Sequence, residues 1–261
     1  MDILVTESRY STLKVRQNDG VCTIQLNRPD ANNTINDQMV SEFIEALDDC
    51  DTDTKIVVVE GLPDIFCFGA DFQSLHQSFK ASNNVIASDP EPMYDLWQRL
   101  ASGPFISIAH VRGQANAGGI GFVAACDIVI SDANSIFSLS ELLFGLMPAC
   151  VLPFLIRKMG FAKAHYMTVT TEAINAQVAK EWGLVDEVSD NTQIALRKKL
   201  LRLNRLSKQS ITRYKRYMSS LNEDLQNAKC RALAANTEIF SDTHTISKIS
   251  RYVETGQFPW E

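Results

Sequence analysis

The chain has 261 residues, of which 45% are hydrophobic and 21% charged, and its formal net charge is −6 at pH 7. This is the composition of a globular protein, and the length suffices to bury a full core without disulfide bonds. No apolar run approaches the ~18 residues of a membrane span, the first residues lack the apolar stretch of a signal peptide, and the negative charge disfavours nucleic acid. We therefore expect a cytoplasmic protein with no membrane or nucleic-acid partner.

Two β-rich segments come first, 12–17 (TLKVRQ) and 20–26 (GVCTIQL), and the Asn-Asp-Gly between them is a hairpin signal. After a loop rich in Pro, Asn and Asp, either Asn36 or Asp37 can cap a helix. Three continuous apolar runs, typical of strands buried on both faces, follow farther along the chain: KIVVVEG (55–61), FISIAHVRG (105–113) and DIVISD (127–132). Strands that alternate with helices predict an α/β architecture with parallel crossovers.

Two other segments have unusual composition. Residues 77–92 are polar with few aromatics, which predicts a loop that serves as a lid, a binding loop or a disordered segment. Residues 195–217 contain nine Lys and Arg and no acid, with leucines at helical spacing. Either this segment is a solvated basic helix face, or it binds a phosphate or an acidic partner.

The cysteines and histidines indicate no metal and no disulfide framework. The six cysteines form no C-x-x-C pair, and most lie in apolar runs, so we expect reduced, buried thiols. The four histidines are far apart in the sequence, with no pair at the spacing of helical metal ligands. We expect a protein without metal.

Two glycine-containing turns each follow a predicted buried strand. The first contains Gly69-Ala70-Asp71, and the second contains Gly118-Gly119, near which a helix should begin. Such turns leave backbone N–H groups free, and the positive end of the helix dipole would point to the same place. If the turns converge, they form an oxyanion hole.

The order and spacing of four strings resemble the enoyl-CoA hydratase/isomerase (crotonase) superfamily: FCFGADF, VRGQANAGGIGFVAACDIVISD, FSLSELLFGLMP and AKEWGLVDEV. The resemblance covers nearly the whole chain. It implies an α/β spiral of ββα units in residues 1–190 with a C-terminal helical trimerisation region in 191–261. It also implies a homotrimer or a dimer of trimers, and acyl thioester substrates without a further cofactor.

The resemblance also assigns roles to residues. It implies that Ala70 and Gly118 donate their N–H groups to the thioester oxygen. The resemblance suggests five further substrate-binding residues. Four lie around these two turns: Phe68, beside the adenine or pantetheine arm, Gly69, Asp71 and Gly119. The fifth, Lys215, is a C-terminal cation near the CoA phosphates.

Hydratases of this family place two glutamates across the thioester. The first position, three residues after the second oxyanion glycine, is Gly121 here, whereas the second is Glu141. An apolar surrounding should raise the pKa of Glu141, so that it can remove an α-proton and then protonate a departing β-hydroxyl. The structural alternative is an acid in the first turn of a helix that Ser140 starts.

Several strings are most similar to the hydratase-like enzymes of polyketide β-branching. In that branch, a dehydratase converts 3-hydroxy-3-methylglutaryl on an acyl carrier protein to 3-methylglutaconyl, and a decarboxylase that typically lacks the glutamate follows. Because Glu141 is present, we expect the dehydratase, with its substrate held on phosphopantetheine and an acyl carrier protein as partner. Arg112, His110 and His76 are candidates to bind the distal carboxylate.

Other functions remain open at this stage. These are an enoyl thioester isomerase or a CoA-dependent enoyl hydratase, a 3-methylglutaconyl decarboxylase, and a non-catalytic crotonase-like scaffold. RNA binding through the basic segment is disfavoured by the net charge.

Overall fold

A computed structural model describes residues 9–50, 52–82 and 89–261, without the side chains of Phe79 and Ser82. Two sheets and a surrounding layer of helices make up this part of the chain. No helix within the described ranges is long and apolar enough to cross a membrane.

In chain order the strands are β1 (Leu13–Asn18), β2 (Val21–Leu26), β3 (Ile56–Glu60), β4 (Ile65–Cys67), β5 (Ile106–Val111), β6 (Gln114–Asn116), β7 (Ile128–Asp132), β8 (Ile136–Ser138), β9 (Ile174–Asn175) and β10 (Glu187–Ser189). The larger sheet has six strands in the order β1-β2-β3-β5-β7-β10. The four strands of the smaller sheet follow the order β4-β6-β8-β9. Within the sheets, β1 with β2 and β8 with β9 pair antiparallel, and the other neighbours pair parallel.

Helices connect the strands and cover both sheets. They are α1 (Asp37–Asp48), α2 (Phe72–Ser82), α3 (Glu91–Ser102), α4 (Gly118–Ala125), α5 (Leu152–Met159), α6 (Phe161–Thr170), α7 (Ala176–Glu181), α8 (Thr192–Leu203), α9 (Lys208–Leu221), α10 (Asp224–Phe240) and α11 (Thr243–Thr255). Two short 3-10 helices span Pro29–Ala31 and Glu141–Phe144. The predicted α/β architecture is confirmed.

Local sequence signals explain the start of the fold. Asp19 and Gly20 both have positive φ, 49° and 74°, as the tight turn between β1 and β2 requires. The side chain of Asn36 accepts the N–H of Met39 at 2.9 Å and caps α1, so the first of the two predicted caps is the one used. All five residues of β3 are buried, as its continuous apolar run predicts.

The predicted loop at 77–92 is only partly a loop. Helix α2 continues to Ser82, and α3 begins at Glu91. Residues 83–88 lie outside the described residues. The prediction was wrong for 77–82 because apolar residues at helical spacing, Phe72 and Leu75 among them, begin the helix before the polar stretch.

The basic segment forms two helices, α8 and α9, rather than one. Leu196 is buried against the outer face of the six-stranded sheet, and Leu200 and Leu203 pack beside it. Six of the nine cations are exposed: Arg197, Lys198, Arg202, Arg205, Arg213 and Arg216. The segment thus combines an apolar side on the sheet with a basic outer side.

Strand β10 is the last strand of the described chain, and the elements from α8 onward are helices. This region packs on the rest of the chain, since Leu225 and Ala232 of α10 belong to the main core. The six cysteines are free thiols, and Cys22, Cys67, Cys126 and Cys150 are buried. Cys50 is half-buried and Cys230 is exposed, so the expectation of buried thiols was wrong for these two.

Candidate active site

The two glycine-containing turns lie in contact. Parallel pairing of β4 with β6 sets Cys67 opposite Ala115, so both chains leave the small sheet side by side. Gly69 has a φ of 92°, and a Cβ atom on it would lie 2.6 Å from the Cβ of Ala117 and 3.3 Å from the N of Gly118. Only a glycine allows this approach. The structure therefore brings together the turns that the sequence suggested.

The N–H of Ala70 points away from its neighbouring strand segment. Ile35 forms a parallel bridge with Ala70, in which the Ile35 N–H donates to the Gly69 carbonyl at 2.7 Å and the Asp71 N–H donates to the Ile35 carbonyl at 3.0 Å. In a parallel bridge the middle residue directs its own N–H to the opposite side. The Ala70 N–H is thus left available for another acceptor.

Gly118 is the first residue of α4, where backbone N–H groups have no acceptor within the helix. Ala117 precedes it with φ 50° and ψ −121°, a conformation that L residues rarely adopt. Such strain costs on the order of 1–3 kcal/mol and concentrates at functional sites. It sets the orientation of the peptide group that carries the Gly118 N–H.

Strand β8 places Glu141 near the Gly118 turn, because Glu141 lies three residues after the end of this strand. The N–H of Ala117 donates to the carbonyl of Ser138, the last residue of β8, at 3.0 Å. The amide of Asn116 donates to the hydroxyl of Ser140 at 2.9 Å and accepts a hydrogen bond from the hydroxyl of Ser138, also at 2.9 Å. This network fixes the turn that bears Glu141 beside the second oxyanion turn.

An aromatic cluster lies at the end of the 3-10 helix that begins with Glu141. Phe144, at the end of the same 3-10 helix, contacts the rings of Phe72 of α2 and Tyr252 of α11, with centroids 5.2 and 5.1 Å away. The Oε2 atom of Glu141 is buried and has no hydrogen-bond partner among the described residues. Burial raises the pKa of Glu141 to about 7, although a hydrogen bond from its own backbone N–H opposes the change. A carboxyl group with this pKa can both accept and return a proton near neutral pH.

Comparisons with known proteins agree with this geometry. The sequence profile of the enoyl-CoA hydratase/isomerase family matches residues 16–261. The chain belongs to the crotonase superfamily. It is 55% identical over 253 residues, 97% of either chain, to the bacillaene synthase dehydratase PksH of Bacillus subtilis. It is also 33% identical to the 2,3-dehydroadipyl-CoA hydratase of Escherichia coli over 181 residues, 68% of this chain and 69% of the relative.

Solved structures give the same result. A crystal structure of the pksH polyketide biosynthesis enoyl-CoA hydratase from Bacillus subtilis superposes with a TM-score of 0.93, covering 96% of this chain and all of the other. An enoyl-CoA hydratase/isomerase from Xanthobacter autotrophicus, 24% identical, has a TM-score of 0.83, covers 95% of this chain and 94% of its own, and shows the fold alone. The protein is an enoyl-CoA hydratase-like lyase and a crotonase-family dehydratase.

The first family glutamate has no room in this crotonase. A Cβ atom on Gly121 would lie 2.4–2.6 Å from three ring atoms of Trp97. The Trp97 side chain is 2% exposed and packs edge-on against Phe122 and Phe154. A buried indole thus lies where a carboxylate side chain would begin.

Four of the predicted substrate-binding residues lie at the turns: Phe68, Gly69, Asp71 and Gly119. Phe68 is 39% exposed and lies directly before Gly69, and its contact with the substrate arm stays a prediction. A Cβ atom on Gly119 would lie 2.3 Å from the carbonyl oxygen of Cys67, so this glycine is required by the packing of α4 on β4.

Asp71 contacts protein groups with both oxygens. It pairs with Arg28 at 2.7 Å and accepts the N–H of Ser74 at 3.1 Å. Burial alone raises its pKa, but these partners hold the pKa of Asp71 below its ordinary value. The prediction of direct substrate binding by Asp71 is corrected to a positioning role for the Ala70 turn.

The prediction that Lys215 lies near the substrate phosphates is also corrected. Its side chain is buried, and its Nζ atom donates to both carboxylate oxygens of Asp127, at 2.5 and 2.6 Å, and to the Ala101 carbonyl at 2.8 Å. Burial lowers the pKa of Lys215, whereas Asp127 opposes this change. Asp127 follows the carboxyl end of α4, roughly 12 Å along the helix from Gly118. Lys215 therefore connects α9 to the core.

The three candidates for the distal carboxylate lie in different places. His110 is buried on the outer face of the large sheet, with Nδ1 3.1 Å from Glu60. Arg112 lines a surface cavity of about 400 Å³ together with Asp64 and Asp132. Neither placement connects the residue with the described part of the Glu141 site, so neither candidate gains support from the structure.

His76 lies on α2, the helix that follows the Ala70 turn. Its Nδ1 atom is buried without a partner among the described residues, and its Nε2 is 3.7 Å from Glu254 of α11. Phe72 lies one turn earlier on the same face of α2, and its ring contacts that of Phe144. Of the three candidates, this is the one whose helix joins the site.

Sequence reasoning did not identify the residues that position the site. Asn116 and Ser140 connect the oxyanion turn with the glutamate turn, Arg28 holds Asp71, and Trp97 fills the space at Gly121. The Asn in QANAGG and the Arg in LNRP offered a weak signal, because short polar residues beside strand ends often hold turns. Trp97 had no such signal, since its indole meets Gly121 through tertiary packing.

Proposed function

We propose that this protein dehydrates 3-hydroxy-3-methylglutaryl-acyl carrier protein to 3-methylglutaconyl-acyl carrier protein in polyketide β-branching. The observation that carries the proposal is the carboxylate of Glu141, whose buried Oε2 atom has no partner among the described residues and whose turn is held beside the two converging glycine-containing turns. The similarity to PksH, a bacillaene synthase dehydratase, supports the assignment to polyketide biosynthesis.

In the proposed mechanism, the thioester oxygen accepts hydrogen bonds from the N–H groups of Ala70 and Gly118. Glu141 removes the α-proton, and the electron pair of the C–H bond forms an enolate that the two donors stabilise. Each donor contributes on the order of 3–4 kcal/mol to transition-state stabilisation. The enolate then expels the β-hydroxyl, which takes the proton from Glu141 and leaves as water, so the carboxylate is regenerated.

The substrate's distal carboxylate needs donors of its own. We assign it to His76, whose buried Nδ1 atom lacks a partner in the described structure. A ring N–H would bind the carboxylate through a charge-assisted hydrogen bond. Phe68 and the exposed Leu142 and Leu143, which follow Glu141, would form the apolar mouth through which the pantetheine arm enters.

An acyl carrier protein is the proposed partner, and the assembly a homotrimer or a dimer of trimers. The exposed cations of α8 and α9 offer a basic surface for an acidic carrier protein. Because α9 lies at the far end of α4 from Gly118, this surface would serve a carrier bound to another subunit's site.

The test is incubation with 3-hydroxy-3-methylglutaryl on a carrier protein, followed by intact mass spectrometry. The proposal predicts loss of one water from the carrier-bound acyl group and slower turnover of the CoA thioester. Loss of carbon dioxide from the 3-methylglutaconyl form would indicate the decarboxylase. No change in either substrate would refute the proposed function.

One observation favours a second candidate, an enoyl thioester isomerase. A single glutamate suffices to move a proton between two carbons, and this site has no second carboxylate at Gly121. Migration of the double bond in an enoyl thioester that lacks a β-hydroxyl, without addition of water, would support this candidate.

A further inference from the structure

Two buried polar atoms near the oxyanion turns have no partner among the described residues. One is Glu141 Oε2, an acceptor when ionised, and the other is Trp97 Nε1, an obligatory donor. An unsatisfied buried polar group destabilises the folded protein, so such groups need an explanation. Glu141 is explained by the proposed chemistry, whereas Trp97 is not.

The position of Trp97 places its N–H within one helical turn of the oxyanion donor. Gly118 and Gly121 are three residues apart on α4 and share a face. The Trp97 atom Cε2, to which Nε1 is bonded, would lie 2.6 Å from a Cβ atom on Gly121. Indole and glycine are therefore in direct contact.

The indole is held rigidly. Its ring packs edge-on against Phe122 of α4 and Phe154 of α5, with centroids 5.9 and 5.8 Å away. Contact with both rings limits the rotation of the Trp97 side chain, so the direction of its N–H does not adapt freely. A fixed donor is the arrangement that stabilises charge as it develops.

We propose that the Nε1–H of Trp97 donates a hydrogen bond to the β-oxygen of the substrate and stabilises it as it leaves. This role rests on the proposed dehydration. The β-carbon is two bonds beyond the thioester carbonyl carbon, so a thioester oxygen at Gly118 places the β-oxygen about one helical turn away, beside Gly121.

A hydroxyl group matches both unpartnered atoms. It can donate its proton towards Glu141 Oε2 before reaction, and its oxygen can accept the N–H of Trp97. During C–O cleavage the electron pair of that bond moves to the oxygen, which takes its second proton from Glu141 and departs as water. Trp97 keeps its own proton throughout and acts as a donor only.

The proposed role of Trp97 therefore depends on the glycine at position 121. Gly121 gives space to a ring whose N–H replaces the contact that a second acidic side chain would make to the same oxygen. Trp97 is in this proposal a catalytic residue of the elimination step, with no part in removal of the α-proton.

The experiment compares two reactions of the same protein. The first is dehydration of 3-hydroxy-3-methylglutaryl-carrier protein. The second is deuterium exchange at the α-carbon of the 3-methylglutaryl thioester in D₂O, which requires Glu141 and the oxyanion donors but involves no β-oxygen. Trp97→Phe removes the N–H and keeps an aromatic ring between Phe122 and Phe154. Trp182→Phe, a half-buried indole that contacts Tyr166, is the matched control.

We expect Trp97→Phe to lower kcat for dehydration by about 10–100-fold and to leave α-exchange within about twofold of the wild type. The Trp182→Phe control should retain both activities. If Trp97→Phe does not fold, Trp97→Leu, which also lacks a donor, repeats the comparison. Wild-type dehydration by Trp97→Phe, or an equal loss of dehydration and exchange, overturns the role of Trp97. A wild-type protein that does not dehydrate the substrate refutes the proposed function instead.

Discussion

Replacement of Glu141 by Gln should make the protein more stable at alkaline pH while abolishing dehydration. The glutamine has nearly the same shape but no charge to bury. In the unfolded chain the glutamate has its ordinary pKa of 4.5, whereas burial raises the pKa to about 7 in the folded protein. The folded state therefore binds the proton more tightly than the unfolded state does.

The sign follows from proton linkage. Between pH 4.5 and 7 the folded protein retains a proton that the unfolded chain has lost, so each increase in pH lowers the free energy of unfolding. The pKa difference corresponds to about 3 kcal/mol, lost fully once the pH exceeds 7. Glu141→Gln has no carboxyl group to titrate and does not lose stability in this way. Its free energy of unfolding should exceed that of the wild type by about 3 kcal/mol at pH 8 and by less than about 1 kcal/mol at pH 5.

Thermal unfolding of the wild type and the variant at pH 5 and pH 8 measures this effect. For a chain of this size the expected increase in Tm is roughly 6–12 °C at pH 8. Glu172→Gln, a substitution of the same type in an exposed turn, is the control and should leave Tm unchanged at both pH values. An equal Tm for wild type and Glu141→Gln at pH 8 would refute the burial of an uncompensated carboxylate at this site.

Four further outcomes are expected. The kcat/KM for dehydration should rise about tenfold per pH unit up to a plateau above pH 7, because the ionised Glu141 removes the proton; a rate independent of pH between 5 and 8 would contradict this assignment. Gly121→Glu should destabilise the fold by about 1–3 kcal/mol through its clash with Trp97, and chemical denaturation should show a smaller cost of the same substitution in a Trp97→Ala background. Gly69→Ala should lower both stability, by about 1–3 kcal/mol, and kcat, since its positive φ and contact with Ala117 set the Ala70 N–H. His76→Phe should raise KM about tenfold for the substrate with a distal carboxylate and leave a substrate without it unaffected, as steady-state kinetics will show.

Much of the fold follows from local patterns in the sequence. Short-range sequence signals predict three elements: the hairpin turn, the Asn36 cap and the buried strand β3. The polar stretch at 77–92 did not indicate helix α2, because the apolar residues at the start of that helix and its packing on α11 determine it. The polarity of residues 77–92 does not indicate that α2 packs on α11.

The site was predictable to the extent that it is made of backbone. Positive φ at Gly69 and the helix start at Gly118 leave sequence signals, since few residues other than glycine fit there. Lys215 and His110 could not be placed in the same way. Each is buried against one carboxylate, Asp127 for Lys215 and Glu60 for His110, and the partner comes from a strand or turn distant in the sequence.

The contact between Trp97 and Gly121 is another long-range contact that the sequence does not predict. The sequence shows a glycine where hydratases of the family have a glutamate, but the reason lies in Trp97, which is 24 residues earlier in the numbering. Tertiary packing alone decides that a donor with no charge fills this position. The sequence pattern therefore shows that the first family glutamate is absent at Gly121, but it does not show that Trp97 fills the space.

The most direct test of the account compares the wild type with Glu141→Gln in dehydration of 3-hydroxy-3-methylglutaryl-carrier protein, followed by intact mass. The account predicts loss of one water with the wild type, and a rate at least about 10³-fold lower with the variant, because no other acid or base replaces the glutamate. A folded variant that dehydrates the substrate at the wild-type rate would contradict the assignment of Glu141 as the acid and base.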